Sequence, residues 1–263
     1  MPIEWLLYPL LGVVAGLLAG LLGIGGGLVL VAALVLALPL QGVPEAAVMH
    51  TALATSLASV VITALASTRA HAKRGSVLWP SVAWLVPGVL LGGWLGSVLA
   101  THLAGNSLRW FVVAYCVLAA LQLFFEFPRS RPAHPTPPRG PGMTAAGVGI
   151  GAVSALVGIG GGSMTVPVLI WHGVAPVRAV GTSSACGIAI GLAAAAGYAF
   201  NADVQGMPAA SIGYVFLPAA IGISLSSVLM APYGASLAHR ASPVMLRRVF
   251  AAFLFLMAAL LSL

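Results

Sequence analysis

Long apolar blocks run through nearly the whole chain, separated by short polar or proline-rich stretches. Because a helix that crosses a bilayer needs about 20 apolar residues, each long block predicts one membrane-spanning helix. These blocks are Trp5–Leu22, Ala46–Ser67, Val77–Ala100, Leu108–Phe125, Met143–Val157, Ala179–Phe200, Met207–Ala231 and Val244–Leu263. Two further blocks, Leu28–Leu40 and Ser163–His172, are too short as helices to cross a hydrocarbon core of about 30 Å.

The composition is typical of a membrane protein of the helical kind. Hydrophobic residues make up 60% of the 263 residues and charged residues only 6%, and the mean hydropathy is +1.09. The apolar blocks are continuous, whereas an outer-membrane barrel has short segments of alternating hydrophobicity. We therefore predict an all-α polytopic membrane protein. The N-terminal stretch MPIEWLL lacks the basic region of a signal peptide, so we expect the first block to belong to the mature protein.

The chain repeats a glycine-rich motif at a spacing of 135 residues. LLGIGGG (Leu21–Gly27) resembles LVGIGGG (Leu156–Gly162), and each copy precedes one of the two short blocks. Other features recur in the same order. The aligned pairs are Gly12, Gly16 and Gly20 with Gly147, Gly151 and Ala155, ATSLAS with GTSSAC, Pro87 with Pro218, and LRWF with LRRVF. We predict two repeats of five blocks, residues 1–126 and 143–263, with the small residues as helix-packing ridges.

The charges of the loops predict that the two repeats have inverted topology. Arg69–Gly75 carries three fixed positive charges, whereas its counterpart Asn201–Gly206 carries none. Thr101–Ser107 likewise has no lysine or arginine, whereas Tyr233–Arg248 has three arginines. Since basic loops stay in the cytoplasm, equivalent loops lie on opposite sides of the membrane. We expect the proline- and arginine-rich segment of residues 127–142 to be an extended cytoplasmic linker, and both termini to lie outside.

The glycine clusters predict a binding site for an anion. A helix that begins inside the membrane presents unpaired N–H groups and a partial positive charge, and glycines before it allow a tight turn close to a ligand. Inverted repeats with interrupted segments at matching positions are typical of transporters. The alternative is that the glycines serve only close helix packing. The predicted binding residues at the two breaks are Gly25, Gly26, Gly27, Leu28, Gly160, Gly161, Gly162 and Ser163, with Leu28 and Ser163 opening the short helices.

Hydroxyl and imidazole groups near the clusters extend the predicted site. Thr55 and Ser56 follow the first cluster, and Thr182 and Ser183 follow the second. They could donate hydrogen bonds to an oxyanion, or simply bond the carbonyl one turn earlier in their own helix. His50, in VMHTALATSL, could contact an anion or sense protons, or be an interfacial residue.

The positions of the acidic residues in the sequence indicate the sign of the ligand's charge. The chain has only four, and all lie at predicted segment ends. Cation carriers commonly have carboxylates in the middle of their membrane-spanning segments. Because this sequence has none there, a small anion is favoured as the type of ligand. Cys116 and Cys186 stand alone in apolar blocks, and we expect no metal or other cofactor. The expected partners are the anion and the lipid bilayer, without nucleic acid, and either a monomer or a homodimer is compatible with the sequence.

The ordered set of motifs resembles the TauE/SafE sulfite exporter family. It comprises the paired GIGGG clusters, MHTALATSLAS, RAHAKRGSV and the closing LRRVFAAFLFLMAAL, and spans nearly the whole chain. The resemblance implies a secondary transporter of the bacterial inner membrane that exports sulfite or organosulfonates such as sulfoacetate.

These residues are compatible with more than one kind of membrane protein. The leading hypothesis is an anion transporter that works by alternating access between the two repeats. The alternatives are an anion channel and a proton-coupled anion uptake carrier. We do not expect an enzyme, because the chain contains no HExxH, no GxSxG and no paired carboxylates at depth.

Overall fold

The structure is a computed structural model that describes residues 4–22, 26–125, 136–202, 206–240 and 242–262. The helices are α1 (Glu4–Leu22), α2 (Gly27–Ala37), α3 (Glu45–Ala72), α4 (Trp79–Thr101), α5 (Gly105–Phe124), α6 (Pro141–Val157), α7 (Gly162–Trp171), α8 (Pro176–Phe200), α9 (Leu217–Ala238) and α10 (Pro243–Ser262). A short 3₁₀ turn, Pro39–Gln41, follows α2, and the strands β1 (Ser211–Ile212) and β2 (Val215–Phe216) form a hairpin before α9.

The prediction of an all-α polytopic membrane protein is confirmed. Among the residues that the structure describes, five helices are long and apolar enough to cross a membrane, namely α3, α4, α5, α8 and α9. The two short blocks form α2 and α7, which have 11 and 10 residues and are therefore about 16 Å and 15 Å long. The linker predicted for residues 127–142 is described only from residue 136, and α6 already begins at Pro141, where proline suits the first helical position.

One predicted helix begins ten residues too early. The apolar block Met207–Ala231 starts with the β1–β2 hairpin, and α9 begins only at Leu217. The hairpin turns at Gly213, which has φ +56, and a Cβ built there would lie 2.3 Å from the carbonyl oxygen of Ala199. Glycine is therefore required for both the turn and its close approach to α8, and hydrophobicity alone did not reveal this.

Each half of the chain packs its first helix against the fourth helix of the other half. α1 lies along α9, and α4 lies along α6. The glycine ridges make these contacts close: a Cβ at Gly16 would lie 2.5 Å from the oxygen of Ser227, and one at Gly151 would lie 2.5 Å from the oxygen of Val89. Backbones that approach this closely gain dispersion energy, which drives helix association where lipid surrounds the protein.

The third helices of the two halves form the centre of the protein and run antiparallel. The Ser67 and Ser184 hydroxyls are 3.0 Å apart, and a Cβ at Gly191 would lie 2.9 Å from the oxygen of Leu57. Positions later in α3 thus face positions earlier in α8. Both helices are mostly buried inside the protein, in contrast to α5, whose residues are mostly not buried.

The helix boundaries correct one of the residue pairs that were aligned between the two halves of the sequence, the pair of Pro87 and Pro218. Pro218 is the second residue of α9, whereas Pro87 lies in the interior of α4. The residue of α4 that occupies the same position as Pro218 is Pro80, which directly follows Trp79. Proline fits the first turn of a helix because the N–H it lacks has no intrahelical partner there, so the matching feature is a helix start.

Candidate anion-binding site at the two helix breaks

The two glycine clusters interrupt the chain in the same way. α1 ends at Leu22 and α2 begins at Gly27, and α6 ends at Val157 and α7 begins at Gly162. The residue before each short helix is a left-handed glycine, Gly26 with φ 69° and Gly161 with φ 77°. The helices thus start one residue earlier than predicted, at Gly27 and Gly162 instead of Leu28 and Ser163. The predicted binding residue Gly25 lies outside the described residues.

The two breaks touch each other. A Cβ built on Gly27 would lie 2.2 Å from the carbonyl oxygen of Gly158 and 3.0 Å from the Cα of Ile159. The Ser56 hydroxyl lies 3.0 Å from the oxygen of Gly27 and 2.8 Å from the oxygen of Gly158. Since a hydroxyl has one hydrogen to donate, Ser56 bridges the two carbonyls as a shared donor. The predicted residue Ser56 therefore joins the breaks.

Both breaks lie against the middle of a central helix. Ser56 is the twelfth of the 28 residues of α3. Gly187, the twelfth of the 25 residues of α8, approaches the second break so closely that a Cβ there would lie 3.0 Å from the oxygen of Gly160. Both breaks thus lie near half the length of helices that are long and apolar enough to span a bilayer.

The start of α7 leaves backbone donors outside the helical ladder. The amides of Met164 and Thr165 both bond the carbonyl of Gly161, at 3.1 and 2.8 Å. The amides of Gly162 and Ser163 are the first two of the helix, so no residue one turn earlier in the helix offers them a carbonyl. The Ser163 hydroxyl is hydrogen-bonded to the Tyr115 hydroxyl of α5. This geometry suits an anion, because N–H groups and the positive end of the helix dipole converge.

The two predicted threonines anchor helix starts in the opposite half of the chain. The backbone N–H of Phe216, which precedes α9, donates to Thr55 Oγ1 at 3.0 Å. The backbone N–H of Leu78, which precedes α4, donates to Thr182 Oγ1 at 3.0 Å. Thr182 also donates to the oxygen of Arg178 at 2.7 Å. Both side chains are fully buried, so their structural role is explicit, and anion binding by them stays a prediction.

Replacing either threonine with valine is expected to destabilise the protein by about 1–3 kcal/mol, because a buried backbone N–H at a helix start loses its acceptor. Valine has the same shape, so Thr55→Val and Thr182→Val remove the oxygen with little change in packing. Equilibrium unfolding in mixed micelles measures the effect. Thr101→Val is the control, since Thr101 is half-buried and bonds only the oxygen of Val98 in its own helix. Equal stabilities for all three variants would contradict the anchoring role.

His50 belongs to α3, and its side chain lies beside the C-terminal end of α4 and not beside the helix breaks. Its Nε2 is 3.1 Å from the oxygen of Ala100 and 3.0 Å from the oxygen of Leu103, and its ring stacks on Tyr214 at 5.0 Å. His50 is buried, with 4% of its surface exposed. Along α3 it is about 9 Å from Ser56. The remaining predicted residue, Ser183, is fully buried beside Thr182 in α8.

Sequence reasoning missed three residues beside the second break. They are Tyr115, which contacts Ser163, and two fully buried hydroxyl residues, Ser154 at the end of α6 and Thr165 in the first turn of α7. The signal was present in the alignment of the halves. Ser154 and Thr165 correspond to Ala19 and Leu30, so a polar residue stands where the other half has an apolar one.

Within the described ranges, five helices are long and apolar enough to cross a membrane, and the breaks that precede the short helices α2 and α7 meet halfway along α3 and α8. These features define a multi-pass α-helical membrane protein. In the part of the chain that the structure describes, no group of three histidine, cysteine or acidic side chains is placed to hold a metal ion. The family model for "Sulfite exporter TauE/SafE" matches residues 8–261. The chain therefore belongs to the TauE/SafE sulfite exporter family.

Three relatives are similar to this chain over most of its length. A "Probable membrane transporter protein" of Haemophilus influenzae is 35% identical over 262 residues, which are 96% of each chain. A protein of the same description from Xylella fastidiosa is 34% identical over 65% of each chain. One from Methanocaldococcus jannaschii is 27% identical over 92% of this chain and 90% of its own. No solved structure matches the chain. These relationships identify a membrane transporter.

Proposed function

We propose that this protein is a secondary transporter that exports sulfur-containing anions, such as sulfite or organosulfonates, by alternating access. The observation that carries the proposal is the contact between two helix breaks, each capped by a left-handed glycine, near half the membrane depth. Two helix N-termini in this position offer N–H donors and partial positive charge to one anion without a buried cation. The choice of substrate and direction rests on the family.

In the part of the chain that the structure describes, neither break contains an acidic residue, and this supports an anionic substrate. Glu45 is the first residue of α3 and is exposed. Glu4 is the first residue of α1, and Glu126 and Asp203 lie outside the described residues. A carboxylate at depth would bind a cation and repel an anion. The same distribution disfavours proton coupling through a buried carboxylate, so the uptake carrier is the weaker alternative.

The contacts between the halves support two repeats of inverted topology. The first helix of each half packs on the fourth helix of the other, and α3 and α8 run antiparallel. The threonine contacts also join the two halves in a reciprocal way. Thr55 of α3 accepts the backbone N–H that precedes α9, and Thr182 of α8 accepts the backbone N–H that precedes α4. Repeats that interlock in this way can rock around a shared site, as alternating access requires.

The basic ends of α3 and α9 support the proposed orientation. The His71 and His239 rings are 5.6 Å apart, and burial together with the charge of Arg74 lowers the pKa of His239. Arg69, Arg74 and Arg240 therefore lie at the same end of the protein. We propose that this end faces the cytoplasm of a bacterial inner membrane, which places both termini outside.

Proteoliposomes containing the purified protein are expected to accumulate radiolabelled sulfite or sulfoacetate by counterflow, with saturable kinetics. The variant Gly161→Leu is expected to lose this activity, because a side chain at φ 77° is strained and a Cβ there would lie 2.4 Å from Ile190 Cδ1. Gly149→Leu in α6 is the control, since a Cβ there meets nothing within 4 Å.

The other outcomes separate the alternatives. Large single-channel currents without counterflow would identify an anion channel. Uptake of cations alone would refute the anion proposal. Full transport by a correctly folded Gly161→Leu protein would show that the second break has no part in transport.

A further inference from the structure

Two fully buried hydroxyl groups lie beside the second break without a hydrogen-bond partner among the described residues. They are Ser154 Oγ and Thr165 Oγ1, and the exposed fraction of each residue is 0%. Most buried polar groups in folded proteins are hydrogen-bonded, because an unpaired one costs free energy. Two unpaired donors close to the same helix break indicate that a group from outside the chain accepts their hydrogen bonds.

Both hydroxyls are placed at the start of α7. Ser154 Oγ lies only 3.3 Å from the position of a Cβ built on Gly161, so it faces the left-handed glycine that precedes the helix. Thr165 is in the first turn of α7, where helical side chains lean toward the N-terminus. The turn of chain before the helix is held in place, because the amides of Gly158 and Ile159 both donate to the carbonyl of Ser154.

The backbone donors of α7 lie at the same place. The amides of Gly162 and Ser163 begin the helix and have no carbonyl one turn earlier in it. Two amides and two hydroxyls give up to four hydrogen-bond donors, which matches the several acceptor oxygens of one oxyanion. The Ser163 hydroxyl is already engaged by Tyr115 and is not counted among them.

The first break has no corresponding side chains. From Leu10 to Leu38 the sequence contains no side-chain oxygen or nitrogen atom, and Ala19 and Leu30 stand where the second half has Ser154 and Thr165. The two breaks have the same backbone arrangement, a left-handed glycine before a short helix, but only the second has polar side chains at the positions of Ser154 and Thr165. A site that used both helix starts equally would not need this difference.

We propose that the anion binds one-sidedly, at the second break, held by the amides of Gly162 and Ser163 and by the hydroxyls of Ser154 and Thr165. The first break then contributes the dipole of α2 and the close contact of Gly27 with Gly158, but no side-chain donor. This assignment rests on the proposed anion transport. It identifies the ligand as a compact oxyanion group whose oxygens face the start of α7, with any organic substituent directed away from it.

The test uses the variants Ser154→Ala, Thr165→Val and their combination in the purified full-length protein. Isothermal titration with sulfite and with sulfoacetate is expected to show a loss of affinity of about tenfold or more in the double variant. Without ligand, the melting temperature of the double variant is expected to equal or exceed that of the unmodified protein, because removing an unpaired buried hydroxyl releases its desolvation cost.

Ser97→Ala is the matched control, since Ser97 is also fully buried but donates to the oxygen of Trp94 in its own helix. Its affinity for the anion is expected to stay unchanged. Unchanged affinity in the double variant, with tight binding by the unmodified protein, would overturn the one-sided site and leave the proposed function intact. An unmodified protein that binds neither anion would overturn the proposed function and this assignment with it.

Discussion

Replacing Gly92 with alanine is expected to destabilise the protein by about 3 kcal/mol, because the added methyl group overpacks the contact between α4 and α6. A Cβ on Gly92 would lie 2.0 Å from the carbonyl oxygen of Val148 and 2.8 Å from its carbon. These are backbone atoms in the middle of α6, so they cannot move aside as a flexible side chain could. α4 and α6 must therefore separate along their length. Reversible unfolding in mixed micelles measures the change.

Gly149→Ala is the matched control for this prediction. It adds the same methyl group to a glycine in the interior of α6, where a Cβ meets nothing within 4 Å. Alanine also favours helix more than glycine does, by up to about 1 kcal/mol, so this variant is expected to be at least as stable as the unmodified protein. If both variants had the same stability, close packing of α4 on α6 would not stabilise the fold.

Replacing Gly27 with alanine is expected to lower transport by about tenfold or more, since a change of 1.4 kcal/mol in a barrier suffices for a factor of ten. A Cβ on Gly27 would lie 2.2 Å from the oxygen of Gly158, so the two breaks must move apart. The Ser56 hydroxyl, which lies between the carbonyls of Gly27 and Gly158, would then lose at least one of them. Initial rates of sulfite counterflow in proteoliposomes measure the effect.

Gly105→Ala is the control for the break. Gly105 is the first residue of α5, as Gly27 is the first residue of α2, and its Cβ would make only ordinary contacts of 3.4 and 3.6 Å. This variant is expected to transport at the rate of the unmodified protein. Normal transport by a folded Gly27→Ala protein would mean that the two breaks need not touch for the transport cycle.

The breaks themselves could be predicted to within one residue. Four glycines among five residues cannot continue a stable helix, and a block of 10 to 13 apolar residues cannot span the membrane, so both positions follow from local properties. The same holds for the ridges of α1 and α6, because small residues at every fourth position lie on one helix face. The local sequence does not predict which helix each ridge contacts, because Gly16 packs against Ser227, which lies in the other half of the chain.

The hydroxyl groups show where reasoning from sequence stops. The sequence predicts that Thr55 and Thr182 bind the ligand or the carbonyl one turn earlier. Thr182 does donate to the carbonyl oxygen of Arg178, and both threonines also accept a backbone N–H from a residue more than 100 positions away. The local sequence around Ser154 and Thr165 predicts no role for them, and the structure places both beside the second break without a hydrogen-bond partner among the described residues. A hydroxyl can donate and accept in many directions, so only its neighbours in space decide its role.

The sequence by itself determined the class of the protein, the number and order of the helices and the places where two of them are interrupted. These properties depend on hydrophobic length, on glycine and on proline, which act over a few neighbouring residues. Only the tertiary structure decided that the first helix of each half packs on the fourth helix of the other and that the two breaks touch. It also decided that Ser154 and Thr165, beside the second break, have no hydrogen-bond partner among the described residues. Such contacts join residues far apart in the chain, and their energies depend on distances of a few ångströms that no local pattern records.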